Sequence, residues 1–279
     1  HFDWKLALEA IAQGVDGLRI NPGNIGARWR VQELVKAAKE RAIPIRIGVN
    51  AGSLERELLR KYGHPAAEAL VESAEGHIRI LEDLDFSDIK VSLKASSVTK
   101  TVEAYRLFSQ RYDYPLHIGI SEAGPSYTGI IKSAVGLGIL LSEGIGDTVR
   151  VSLTAPPEDE VRTAYEILKS LGLRQRGPDI ISCPTCGRCQ IDLQPLALRV
   201  EETLRSMNRP IRVAVMGCAV NGPGEAKEAD FGIAAGKGIG LVFCRGEVVR
   251  RVREEELLDA LMDVINRPPF TEPENPTDA

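Results

Sequence analysis

The chain has 279 residues, 43% of them hydrophobic and 27% charged, and carries a formal net charge of −4. That balance describes a soluble globular protein of one large or two moderate domains, and it excludes a basic nucleic-acid-binding tail. No apolar run is long enough to span a bilayer and no signal peptide opens the sequence, so the default compartment is the cytoplasm. The first residue is His1 rather than Met, which points to a chain that was cut or starts inside a domain.

An amphipathic helix pattern begins at Asp3-Trp4. From there to about residue 170, short apolar strands alternate with helical stretches, the pattern of βα units and a parallel sheet. Strands are expected at residues 17–20, 44–49, 88–93, 116–120 and 148–153. Helices are expected at 27–41, from Ser53 as N-cap with Glu55 and Glu57 in the first turn, at 98–112, at 127–142, and from Pro156-Pro157 to 171. Five successive units favour a TIM-type (β/α) barrel over a shorter doubly wound sheet. A complete barrel has eight, so the barrel is expected to be N-terminally incomplete, with His1-Phe2 as the end of a strand that begins earlier.

Period-2 alternation gathers polar residues on one strand face. Arg19 shares a face with Asn21, Arg46 with Asn50, Ser92 with Lys94, and Arg150 with Ser152. His117 lies in the fourth strand and Glu122 just past its end. Barrel interiors are usually filled by branched apolar residues, whereas here the apolar alternates Leu18, Ile20, Ile45, Ile47, Val91, Leu93, Val149 and Val151 would face the helices. A cation in nearly every strand argues for an anionic, phosphorylated ligand; the competing reading pairs these cations with acids on neighbouring loops. The turns Asn21-Pro22-Gly23-Asn24 and Asn50-Ala51-Gly52-Ser53 have backbone N–H groups that could hold phosphate oxygens, although each also reads as a plain βα turn.

Residues 172–179, rich in Arg, Gly and Pro, read as a linker. A smaller α+β domain follows, with strands at 212–216, 240–243 and 247–250 and helices near 194–207 and 254–265. The expected division is 1–173 for the barrel, 174–266 for the second domain and 267–279, with four prolines, for a mobile tail.

Five cysteines, four of them between Cys183 and Cys218, do not form a secreted disulfide pattern, and clustered thiols of this kind bind metal. Cys183-x-x-Cys186-x-x-Cys189 begins like a ferredoxin run, but Leu193 stands where the next cysteine would be. A zinc site from Cys183, Cys186, Cys189 and Cys218 is one possibility. It would make the protein a non-catalytic electron-transfer or zinc-structured anion-binding protein. The other possibility uses Glu225: three thiolates and one exchangeable carboxylate leave one iron of a cluster open to a substrate oxygen. Cys244, in an apolar strand, reads as a small buried residue.

The segments Arg19-Ile20-Asn21-Pro22-Gly23-Asn24, Arg46-Ile47-Gly48-Val49-Asn50-Ala51-Gly52-Ser53-Leu54, Ser92-Leu93-Lys94-Ala95-Ser96, Gly119-Ile120-Ser121-Glu122-Ala123-Gly124, Ser182-Cys183-Pro184-Thr185-Cys186-Gly187-Arg188 and Gly217-Cys218-Ala219-Val220-Asn221-Gly222-Pro223-Gly224-Glu225 together resemble the 4-hydroxy-3-methylbut-2-enyl diphosphate synthase family. The resemblance covers all but the tail. It implies a cytoplasmic enzyme of the non-mevalonate isoprenoid pathway that reductively opens 2-C-methyl-erythritol 2,4-cyclodiphosphate, with a ferredoxin or flavodoxin as reductant. It implies a 4Fe-4S cluster on Cys183, Cys186 and Cys218 with Glu225 as the displaceable fourth ligand, and no ligand role for Cys189. By the same resemblance His1, Arg19, Asn21, Arg46, Asn50, Lys94, Arg150 and Ser152 hold the cyclodiphosphate, Glu122 transfers a proton, and the cluster domain of one chain caps the barrel of the other in a homodimer.

Overall fold

The structure, a computed structural model, describes residues 3–218, 224, 226–236 and 238–267. His1, Glu225 and the proposed tail from residue 268 onward lie outside the described residues. The chain divides into two compact units, His1–Arg174 and Gln175–Ala279.

In the first unit the Asp3 carboxylate accepts from the backbone N–H groups of Lys5 and Leu6 and caps helix α1 (Trp4–Ala12). Then come β1 (Leu18–Ile20), the single turn α2 (Pro22–Ile25), α3 (Arg28–Glu40), β2 (Ile45–Asn50), a 3-10 turn (Ala51–Ser53), α4 (Arg56–Tyr62) and α5 (Ala67–Glu82). The unit continues with β3 (Ile89–Lys94), α6 (Val98–Ser109), β4 (His117–Ile118), α7 (Ser126–Ser142), β5 (Thr148–Val149) and α8 (Pro157–Ser170). Strands β1, β2 and β3 pair in parallel, and so do β4 and β5. A parallel bridge between Val91 and Leu116 joins the two groups. The order is therefore β1-β2-β3-β4-β5, an open run of parallel strands as expected of an incomplete barrel.

One strand face is apolar. Ile20, Ile45, Ile47, Ile89, Val91 and Leu93 are buried against Leu34, Val35, Leu70, Ile78 and Phe108 of the covering helices. Each such side chain contributes about 1.5–3 kcal/mol when buried, so alternation fixes which way the other face points. The register sets Arg19 beside Arg46, Arg46 beside Lys90 and Asn50 beside Lys94.

The expected helix start at Ser53 is corrected. Ser53 ends the 3-10 turn, and the helix starts at Arg56 after Glu55. The Ser53 hydroxyl is already engaged with Asn21 and the Asn50 carbonyl, and the Glu55 carboxylate turns instead to His77 (2.9 Å) and Ser73 (3.1 Å) on α5.

The second unit contains β6 (Asp179–Ser182), α9 (Leu193–Leu204), β7 (Arg212–Met216), β8 (Phe231–Gly236), β9 (Ile239–Cys244), β10 (Glu247–Arg253) and α10 (Leu257–Ile265). Its sheet order is β10-β9-β8-β7-β6, parallel from β6 to β8 and antiparallel from β8 to β10. Val213, Val215, Ile233 and Val242 pack against Val200, Leu204, Leu257 and Leu261 of the two helices. Strands β6 and β8 are absent from the sequence reading. The first lies at the end of the segment taken as linker, and the second is rich in glycine and alanine.

Candidate functional site

The polar strand face of the first unit concentrates positive charge. Arg19 and Arg46 are half-buried and Lys94 is only 4% exposed. Among the described residues no carboxylate pairs with Arg19, Arg46, Lys94 or Arg150. Burial, followed by Arg150, lowers the Arg19 guanidinium from its ordinary value. Burial, then Arg19 and Arg150, does the same at Arg46. At Lys94 burial is the main cause and Arg150, Arg46 and Arg19 add to it, bringing the ammonium down to about 7. Removing water from several like charges costs stability, and a bound anion restores it.

Arg19 is aimed by its neighbour strand. Its Nη2 donates to the Gly48 carbonyl at 3.1 Å, and the guanidinium lies over the space a side chain would occupy at that glycine. The loops after β1 and β2 are tied together: Asn21 Nδ2 donates to Ser53 Oγ at 3.2 Å, and Ser53 Oγ donates to the Asn50 carbonyl at 3.3 Å. Ser152 is half-buried beyond β5. Glu122 is exposed in the loop after β4 with φ of +54°, a left-handed conformation that non-glycine residues rarely adopt.

His117 belongs to the same face, although its place in the fourth strand gave no role by itself. Its Nδ1 bonds with Thr148 Oγ1 at 2.9 Å, while Nε2 is buried without a partner. Burial first, then Lys94, Arg46, Lys90 and Arg150, push its pKa down to about 3, so the ring is neutral at physiological pH.

In the second unit, Cys183 and Cys218 follow the carboxyl ends of the adjacent parallel strands β6 and β7. Cys183 is half-buried and its Sγ accepts from the Gly217 N–H at 3.3 Å; Cys218 is buried. Cys186 is exposed, on a turn closed by the Cys189 N–H to the Cys186 carbonyl. Backbone and side-chain hydrogen bonds from Arg188 hold the Cys186 thiol below its usual range. Cys189 is half-buried. Its Sγ donates to the Ile191 carbonyl at 3.3 Å and sits 2.4 Å from where a Cβ on Gly217 would be, so position 217 has no room for a side chain. Cys244 ends β9 half-buried, its thiol raised by burial.

Among the described residues no three His, Cys, Asp or Glu side chains are gathered as a metal-ligand group. The donor chemistry nevertheless fits an iron–sulfur centre: soft thiols without disulfides, a backbone N–H already donated to one sulfur, and two sulfurs carried at adjacent strand ends.

A (β/α)-barrel enzyme with a cationic strand face and a separate thiol-bearing domain is the class this arrangement defines. The GcpE TIM-barrel domain matches residues 1–165 and the GcpE protein C-terminal domain matches residues 179–267. The chain belongs to the GcpE family, the 4-hydroxy-3-methylbut-2-enyl diphosphate synthases, iron–sulfur oxidoreductases of isoprene biosynthesis. It is 65% identical over 96% of its length to the 4-hydroxy-3-methylbut-2-en-1-yl diphosphate synthase (flavodoxin) of Thermodesulfovibrio yellowstonii, covering 76% of that protein. The figures are the same for the enzyme of that name from Geobacter sulfurreducens, and 58%, 96% and 72% for that of Symbiobacterium thermophilum. Among the described residues no helix is long and apolar enough to cross a membrane.

Proposed function

We propose that the chain converts 2-C-methyl-D-erythritol 2,4-cyclodiphosphate to 4-hydroxy-3-methylbut-2-enyl diphosphate. In this reaction one carbon–oxygen bond to phosphate breaks, two electrons enter the carbon skeleton, and one proton lets a hydroxyl group leave as water. The observation that carries the reading is the uncompensated charge of Arg19, Arg46, Lys94 and Arg150 on one strand face. A cyclic diphosphate supplies the anionic oxygens such a face lacks, and the planar guanidinium groups suit bidentate contacts to them.

Arg19, Arg46, Lys94 and Arg150 bind the diphosphate, and Asn21, Asn50 and Ser152 orient it by neutral hydrogen bonds. His1 joins this set by resemblance. Glu122, exposed in the loop after β4, is the candidate to hand a proton to the departing hydroxyl. Cys183, Cys186, Cys218 and Glu225 would hold a 4Fe-4S cluster, which supplies the two electrons one at a time. The three thiolates would fix such a centre, and the Glu225 carboxylate would be its exchangeable fourth ligand. Flavodoxin, named for the relatives, or a ferredoxin is the proposed reductant, the cytoplasm the proposed compartment, and a homodimer with the cluster domain of one chain over its partner's barrel the proposed assembly.

The test is turnover. Anaerobically reconstituted protein supplied with reduced flavodoxin is expected to consume the cyclodiphosphate and release one hydroxymethylbutenyl diphosphate per two electrons. Reconstituted protein that leaves the cyclodiphosphate intact would refute the proposed reaction.

A further inference from the structure

Where β3 meets β4 the ladder is not closed by backbone alone. The Val91 N–H donates directly to the Pro115 carbonyl at 2.8 Å, and the Ser121 N–H to the Ala95 carbonyl at 3.1 Å. Between these two rungs the Leu93 N–H donates to the hydroxyl of Tyr105 at 3.0 Å, and that hydroxyl donates to the His117 carbonyl at 2.7 Å. A side chain from α6 thus stands where two parallel strands would bond to each other. A relayed rung holds strands further apart than the usual spacing of about 4.8 Å. Tyr105 is fully buried, and burial raises its phenol well above the ordinary value, so the hydroxyl keeps the proton that it donates to the His117 carbonyl.

The rung falls at a consequential level. Leu93 precedes Lys94, and His117 carries the buried, unpartnered Nε2, so the two strand residues that the hydroxyl separates are attached to two of the cationic face's polar side chains. We propose that Tyr105 is a positioning residue for anion binding: its hydroxyl props β3 and β4 apart at the Leu93–His117 rung and so sets where Lys94 and His117 meet the phosphates. This rests on the proposed diphosphate-binding role of the face and adds to it a residue on the helix side of the sheet, out of reach of the ligand.

The decisive variant is Tyr105→Phe, which keeps the ring and removes the oxygen. The strands then either close to a direct bond or leave two buried backbone groups unpaired. Calorimetric titration of the full-length chain with inorganic pyrophosphate and with the cyclodiphosphate reads the consequence. Affinity for both is expected to fall about tenfold, equivalent to about 1.4 kcal/mol. Phe108→Leu on the same buried helix face controls for lost packing: it should lower the melting temperature and leave both affinities as they were. A double-mutant cycle with Lys94→Met should be non-additive, the hydroxyl mattering little once the ammonium is gone. Tyr105→Phe protein that binds both anions like the parent, or a strictly additive cycle, would overturn the positioning role. Parent protein that binds pyrophosphate and not the cyclodiphosphate would instead overturn the substrate assignment, with the pyrophosphate arm still deciding the role of Tyr105.

Discussion

The guanidinium of Arg19 lies flat against Gly48 on the neighbouring strand: Nη2 bonds the glycine carbonyl at 3.1 Å, and a Cβ at that glycine would fall 2.3 Å from Arg19 Nε. Space, not backbone conformation, is what the glycine provides here, because β2 pairs regularly with β3 through this residue. Gly48→Ala is therefore expected to fold, losing about 1–3 kcal/mol to overpacking. Its KM for the cyclodiphosphate should rise about tenfold, about 1.4 kcal/mol of binding. Steady-state kinetics with an unfolding curve on the same sample checks both.

Lys94 exchanges stability for binding. Its ammonium is lowered from 10.5 to about 7 in the fold, so between those pH values the unfolded chain holds a proton that the folded chain lacks. Stability contributed by this group consequently rises with pH across that window, and its destabilising effect is complete below pH 7. Lys94→Met should stabilise the free protein by on the order of a few kcal/mol at pH 7 and by less at pH 10. The same variant should weaken cyclodiphosphate binding roughly 10- to 100-fold, the loss of a charged hydrogen bond. Urea unfolding at the two pH values, with titration calorimetry at pH 7, measures both effects.

His117 acts in the acid range. Its folded pKa of about 3 lies below the ordinary 6.5, so as pH falls through 6.5 the unfolded chain takes up a proton that the folded chain refuses until about pH 3. Lowering the pH from 7 to 5 should cost the parent protein about 1 kcal/mol more than His117→Gln, after allowance for the ring's partial exposure. Parallel unfolding curves for the two proteins at pH 5 and pH 7 read that difference.

Much of the fold is legible because alternation and register agree. In β1 to β3 the apolar face and the cationic face follow from single residues such as Ile47 beside Arg46. The strands β4 and β5 are shorter than their apolar runs at 116–120 and 148–153 suggest, since regular pairing covers only His117–Ile118 and Thr148–Val149. The Tyr105 hydroxyl breaks the ladder beside β4, an effect of a residue on α6 that no local pattern reports. Strand β8 escapes sequence reading because Gly232, Ala234, Ala235 and Gly236 have little strand preference of their own; pairing with β7 and β9 on both sides decides their conformation. The cationic site is visible as residue types, while the absence of counter-charges around it among the described residues is a property of the packed structure.

The cysteines are expected to divide by role. Cys183→Ala, Cys186→Ala and Cys218→Ala are each expected to lose the cluster's iron and its broad visible absorption after anaerobic reconstitution. Cys189→Ala should retain both, because its sulfur is engaged with Ile191 and packed on Gly217. Glu225→Ala is expected to keep iron and lose turnover, as a displaceable ligand should. Iron analysis and absorption spectra on the five variants distinguish this from a zinc site of four thiolates, in which Cys189→Ala would strip the metal and Glu225→Ala would not matter.

The central claim is that the uncompensated strand face binds a cyclic diphosphate. Isothermal titration of the cyclodiphosphate into parent protein and Arg46→Met tests it most directly. The claim predicts saturable binding, weakened by salt and reduced at least tenfold in the variant, about 1.4 kcal/mol or more. Equal binding by both proteins, or none by the parent, would contradict it.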